Sequence, residues 1–201
     1  MKIVGVGCGP GMMTEQAVQV LRTARFVYGS SRAIEIAQKH IPKNCAVRSI
    51  SDYRNLSQLP ENAIVLSTGD PMLAGLGYLP GEIVPGISSL QLAAARLRIP
   101  LSRVSVVVAH GRGHDRAMQE TVEELRRDKI VFLIADPKFQ ADELFRRLAA
   151  SGLSPDTKIA VCENLGYPDE HIVVGSISDP PLPASDLYAM VIGSFGQTEK
   201  I

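Results

Sequence analysis

Short apolar runs alternate with amphipathic stretches through the first half of this chain. Beyond residue 155, apolar runs follow one another with nothing helical between them. Residues 2–6, 26–28, 47–50, 63–67 and 82–84 read as strands. Thr14 stands where it would cap a helix that places Ala17, Val20, Leu21 and Ala24 at i, i+3, i+4 and i+7. Ser30 or Ser31 would cap the next, with Ile34, Ala37 and Ile41 inward, and residues 88–97 form a third. Strands alternating with helices predict a parallel α/β sheet. In the second half, residues 104–109 and 130–135 read as strands, and 115–128 and 141–151 as helices. Strands at 158–163, 171–174 and 187–192 then follow with short connections, which favours antiparallel pairing. The Ile99-Pro100-Leu101 break divides the chain into two small α/β domains, 1–102 and 103–201. The first has a mainly parallel sheet and the second a mixed one.

Lys+Arg and Asp+Glu number 21 each, a net charge of zero, which argues against a general nucleic-acid binder. The longest apolar run, Ile130 to Ala135, is far short of the roughly 18 residues of a membrane helix, so no membrane partner is expected. Met1-Lys2 leads straight into Ile3-Val4-Gly5 without a signal-peptide pattern, and the reading is a cytoplasmic protein. Cys8, Cys45 and Cys162 are far apart and make no C-x-x-C motif. His110 and His114 have helical ligand spacing, but Gly111 and Gly113 between them disfavour a helix, so no metal is expected.

Five segments can carry chemistry. Gly5-Val6-Gly7-Cys8-Gly9-Pro10-Gly11 joins the first strand to the first helix. It fails the G-x-G-x-x-G test, since the sixth position is Pro10 counted from Gly5 and Met12 counted from Gly7. No acid follows the second strand to hold a ribose, so NAD is disfavoured. Four glycines in seven residues exceed the need of a tight turn, which favours a ligand-lining loop. Ser67-Thr68-Gly69-Asp70-Pro71-Met72 ends a strong strand. There Asp70 either binds a ligand or caps a short helix starting at Pro71. Ser88 and Gln91, in Pro85-Gly86-Ile87-Ser88-Ser89-Leu90-Gln91, fit a capping box. His110-Gly111-Arg112-Gly113-His114 suggests a loop facing an anionic ligand. Cys162-Glu163-Asn164-Leu165-Gly166 ends a strand or touches a ligand.

Val6-Gly7-Cys8-Gly9-Pro10-Gly11 with Thr14, then Thr68-Gly69-Asp70-Pro71, then Pro85-Gly86-Ile87-Ser88-Ser89 resemble, in order, the motifs of the tetrapyrrole (corrin and porphyrin) methyltransferases. Val27-Tyr28-Gly29-Ser30-Ser31-Arg32-Ala33 and Glu163-Asn164-Leu165-Gly166-Tyr167-Pro168-Asp169-Glu170 look most like the precorrin carbon-5 branch. That resemblance implies two α/β domains, a homodimer, and S-adenosyl-L-methionine in a cleft between the domains. It implies carbon-5 methylation of cobalt-precorrin-6B to cobalt-precorrin-7 in cobalamin biosynthesis, with a separate carbon-15 methyltransferase and decarboxylase. Cofactor contacts would fall at Pro10, Gly69, Asp70, Leu73, Ser88, Ser89, Ile134, Ala135, Leu165 and Ala189. Gly9, Gly11, Arg32, Arg112 and Arg116 would meet the small-molecule tetrapyrrole, whose carboxylates call for arginines. Two spans are shorter than the family pattern: Gly11 to Thr14, and Asp70 to Pro85, where only a short helix fits.

Methyl transfer from a sulfonium to an electron-rich carbon needs no protein nucleophile. Positioning and desolvation carry it, an effect of about 7–11 kcal/mol. His110 and Glu163 are the candidates for a base that removes the proton after methylation. The alternatives are methylation of uroporphyrinogen, another precorrin or the diphthamide precursor, and a non-catalytic metabolite-binding module.

Overall fold

The computed structural model describes residues 1–111 and 113–196. The chain divides into one compact unit, Met1–Ser89, and a second from Leu90 onward. The division falls in the first turn of the third helix, whereas the sequence reading keeps that helix with the first domain, up to residue 102.

The first unit holds a five-stranded sheet in the order β3-β2-β4-β1-β5. The strands are β1 (Lys2–Gly5), β2 (Phe26–Gly29), β3 (Ala46–Ser49), β4 (Ile64–Ser67) and β5 (Glu82–Val84). All pairings are parallel, with Ile3 opposite both Val65 and Ile83. The apolar runs of β1 and β4 are buried on both faces, as a central parallel strand requires, whereas edge strand β3 is exposed throughout. Helix α1 (Glu15–Arg22) starts where Thr14 Oγ1 accepts the Ala17 N–H at 3.1 Å. Helix α2 (Ser31–Ala37) is capped by Ser30, whose Oγ accepts from Ala33 N at 3.2 Å. Its buried face is Ala33, Ile36 and Ala37. The expected Ile34 and Ile41 are half-buried.

No helix forms between β4 and β5, which corrects the expectation of a short helix after Asp70. Pro71, Gly75, Gly77, Pro80 and Gly81 fall within this connection and favour turns over a helix. The segment folds instead through Leu73 N to Asp70 O, Gly77 N to Pro71 O and Leu79 N to Leu76 O. Leu79 is buried with Ile3, Leu56 and Val65, and Leu76 packs beside them, so side chains from turns cover this part of the sheet.

The second unit carries α3 (Ser89–Leu97, from its second residue onward), β6 (Val104–Ala109), α4 (His114–Arg126), β7 (Ile130–Ala135) and α5 (Ala141–Ala150). Strands β8 (Lys158–Glu163), β9 (His171–Ser176) and β10 (Tyr188–Gly193) follow. Its sheet runs β6-β7-β10-β8-β9. β6 and β7 are parallel and every other pair is antiparallel, as the change in connection length predicts. One face of this sheet packs on α4 and α5 in a single core that includes Leu133, Leu144, Leu148, Ile159, Met190 and Ile192.

Candidate active site

Three loops meet at the carboxyl ends of β1, β4 and β5, and they meet through backbone. Gly7 and Gly69 exchange hydrogen bonds, Gly69 N to Gly7 O at 2.8 Å and Gly7 N to Gly69 O at 3.3 Å. A Cβ on Gly5 would stand 2.5 Å from Gly86 N, and one on Gly86 would run into the Gly69 carbonyl oxygen. Glycine is required at both positions because a neighbouring main chain occupies the side-chain space. Thr14 extends the junction, since its hydroxyl also reaches Pro85 O at 3.3 Å.

Asp70 locks the same junction. Its Oδ1 accepts from Met72 N at 2.8 Å and its Oδ2 from Gly86 N at 3.0 Å. It therefore closes a turn and ties the β4 loop to the β5 loop, rather than capping a helix. Arg32, in the first turn of α2, donates from Nη2 to Thr68 Oγ1 at 3.2 Å. Pro10 and Gly11 are exposed beside this junction and Gly9 is buried. Leu73 is half-buried, Ser88 buried, and Ser89 begins α3.

The second unit repeats the Asp70 arrangement. Asp136 follows β7 and precedes Pro137. Its Oδ1 accepts from Lys138 N at 2.8 Å and its Oδ2 from Gly111 N at 2.7 Å, with His114 Nε2 at 3.2 Å. The Gly111 amide is the chief cause that lowers the Asp136 carboxyl to about 2. The Lys138 amide and His114 add to it against the opposing effect of burial. The His114 ring stands edge-on to Phe139 with centroids 5.3 Å apart. Burial, with the Asp136 charge nearby, raises Tyr188 to about 12, so its hydroxyl stays protonated.

Glu163, expected as a base, is buried and committed to structure. Its Oε1 accepts from Ala184 N at 2.5 Å and Ser185 N at 2.7 Å, and His171 Nδ1 lies 3.5 Å from Oε2. Burial alone would raise its pKa, but the Ser185 and Ala184 amides and His171 outweigh that and hold it below the ordinary value. A carboxylate stabilised in this way is a poor proton acceptor. Asn164 continues the arrangement. It donates to Asp169 Oδ2 at 2.9 Å and accepts from Ser185 Oγ at 3.0 Å. Glu170 Oε2 accepts from Gly166 N at 2.8 Å, while its Oε1 pairs with Arg96 Nε of α3 at 2.5 Å. These bonds fix the loop that carries buried Leu165.

Ile134 lies opposite Ala189 in the β7–β10 ladder, and Ala189 is also opposite Cys162. Ile134 and Ala189 therefore share one face of this sheet, while Ala135, the next residue of β7, points to the other face and is buried in the core under α4 and α5. The Cys162 thiol beside them is pushed by burial to about 12 and carries no nucleophilic thiolate. The side chains of His110 and Arg116 are exposed and form no hydrogen bond or ion pair with another described residue. Arg112 lies outside the described residues. Among the described residues no three His, Cys, Asp or Glu side chains gather as a metal site. Thr68, Asp136, Glu170 and Ser185 were not singled out from the sequence. Asp136 had a visible signal, because Asp136-Pro137 after an apolar strand repeats Asp70-Pro71.

The family model for Tetrapyrrole (Corrin/Porphyrin) Methylases matches residues 2–181. A probable cobalt-precorrin-7 C(5)-methyltransferase of Methanocaldococcus jannaschii is 31% identical, over 87% of this chain and 89% of that protein. The cobalt-precorrin-4 C(11)-methyltransferase of the same organism is 26% identical, over 89% of this chain and 80% of its own. The crystal structure of a cobalamin-biosynthesis precorrin-6Y methylase from Archaeoglobus fulgidus superposes with a TM-score of 0.75. It shares 28% identity and 98% of each chain is covered.

Proposed function

The chain belongs to the tetrapyrrole (corrin/porphyrin) methylases, S-adenosylmethionine-dependent C-methyltransferases, and on that premise we propose that it methylates carbon 5 of cobalt-precorrin-6B to give cobalt-precorrin-7. The observation that carries this choice of step is the 31% identity to the C(5)-methyltransferase across nearly the whole of both chains. The match spans 89% of a protein named for C(5) alone, which supports leaving carbon-15 methylation and decarboxylation to a separate polypeptide. The chain acts as a homodimer in this reading.

The residues present fit the cofactor. The glycine junction leaves Pro10 and Gly11 exposed in a loop held by backbone bonds, with open space around the Gly11 α-carbon. In the second unit Ile134 and Ala189 offer an apolar face for an adenine-sized ring. This reading also assigns cofactor contacts to Ala135 and Leu165 there and, in the first unit, to Gly69, Asp70, Leu73, Ser88 and Ser89. S-adenosylmethionine supplies the activated methyl group. The chain supplies position and exclusion of water, and its rigid loops hold both without reorganisation. Gly9 and Gly11 line the tetrapyrrole side. Arg32, Arg112 and Arg116 meet the carboxylates of the ring substituents, with Arg32 anchored on Thr68. Glu163 is removed from the proton-transfer role. His110, exposed and without a bonding partner among the described residues, takes it.

Isothermal titration with S-adenosylmethionine and with NAD tests the cofactor, and binding of NAD alone would overturn the reading. Labelled S-adenosylmethionine with cobalt-precorrin-6B and a panel of other tetrapyrroles tests the step. Transfer to cobalt-precorrin-6B is expected. Transfer only to cobalt-precorrin-4 would favour the second reading, which the C(11) relative supports, and transfer only to uroporphyrinogen would overturn both.

A further inference from the structure

We propose that Asp136 is a positioning residue for the tetrapyrrole, acting through Gly111 as Asp70 acts through Gly86; this rests on the methyltransferase reading above. The two sites are built alike. Each Asp precedes a Pro at the carboxyl end of an apolar strand. One carboxylate oxygen closes a turn on the amide two residues on, Met72 or Lys138, both at 2.8 Å. The other oxygen crosses to the amide of a loop glycine, Gly86 at 3.0 Å or Gly111 at 2.7 Å. Each staple spans a distance in sequence, 16 residues in the first unit and 25 in the second. A staple of this kind fixes a loop that no ladder hydrogen bond reaches.

What the second staple fixes can be read from its surroundings. Ile134, Ala135 and Ala189 lie on β7 and β10, and strand pairing already holds them in register. Their position does not depend on Asp136. The turn at His110 and Gly111 is different. Both residues are exposed and leave β6 without further strand pairing. The Asp136 carboxylate is the group that ties this turn to the end of β7, through the Gly111 amide and, beside it, His114. Losing the carboxylate therefore frees the polar turn and leaves these strand residues in place. The effect falls on the substrate whose polar groups meet that turn, and not on the cofactor.

The test is Asp136→Asn in the full-length chain. Asn keeps the shape but offers one oxygen, so one of the two amides faces an N–H₂ group. Loss of one charge-assisted bond is expected to raise KM for the tetrapyrrole by about tenfold, with the Kd of S-adenosylmethionine within about twofold of wild type. An unchanged KM, or a KM and cofactor Kd that worsen together with a falling Tm, would overturn the positioning role. Wild-type turnover is measured first. Its absence would remove the functional reading and this proposal with it, whereas normal turnover with an unmoved KM in D136N removes the proposal alone. A second measurement needs no variant: amide hydrogen exchange of Gly111 in the wild-type protein. Slow exchange at this exposed residue is expected, and the rate of a free loop amide would overturn the staple.

Discussion

Asp70, Asp136 and Glu163 share a fate at the residue scale. Each carboxylate accepts two backbone N–H groups, and Asp70 and Glu163 had been open to a ligand-binding or acid–base reading. Glu163→Gln is expected to cost about 1–3 kcal/mol, because the charge that strengthens the two amide bonds to Oε1 is lost. The pH–rate profile of methyl transfer should keep its shape. Urea unfolding and the profile check this together, and a lost acidic limb in the variant would restore Glu163 as the base. Asp136 makes a prediction of its own. Its folded value of about 2 lies below its ordinary value of 3.8, so the charged form is favoured by folding. The stabilisation is complete above the ordinary value and disappears as pH falls through the folded one. D136N should therefore be less stable than wild type at pH 6, and the gap should close between about pH 4 and pH 2. Denaturation midpoints measured across that range decide it.

At the scale of elements, the three-loop junction is the part least able to change. Gly86→Ala would press a methyl group into the Gly69 carbonyl and the Gly5 main chain, where no side chain can move aside. We expect a loss of about 3 kcal/mol or more, because the strain falls on backbone. Gly113→Ala, where a Cβ meets nothing within 4 Å, should cost under about 1 kcal/mol. Thermal melts of the pair test the junction; equal losses would show that Gly86 is not confined. The strands and the α1 cap were legible in the sequence because local rules fix them. Thr14 caps within three residues, and apolar runs mark strands wherever they lie. The long bonds were not legible. Nothing near Asp136 announces Gly111, and nothing near Glu163 announces Ser185, since folding alone brings these partners together. The segment after Asp70 was misread for a related reason. A crossover of that length suggests a helix, but its Pro and Gly content and the apolar patch around Ile3 and Val65 favour turns that deliver Leu76 and Leu79.

For the whole molecule, 21 basic and 21 acidic side chains leave no net field to draw a polyanion in from a distance. A substrate rich in carboxylates must then be held by a few arginines at short range. Arg32 is the best placed among the described residues, since its bond to Thr68 Oγ1 sets it beside the glycine junction. Short-range contacts respond weakly to salt. Raising salt from about 0.1 to 1 M shortens the screening length from about 10 to 3 Å, which removes steering and weakens short-range contacts only in part. For the wild-type protein kcat/KM should fall only a few-fold over that range, against the far larger drop of a steered enzyme. Arg32→Ala should raise the tetrapyrrole KM by about tenfold at low salt, as expected for a lost charge-assisted bond. The salt dependence that remains should then be shallower than in wild type, because one of the few screened contacts is gone. Parallel salt slopes in the two proteins, or a wild-type fall of two decades or more, would mean that a wider charged surface gathers the substrate and that Arg32 serves only to hold Thr68.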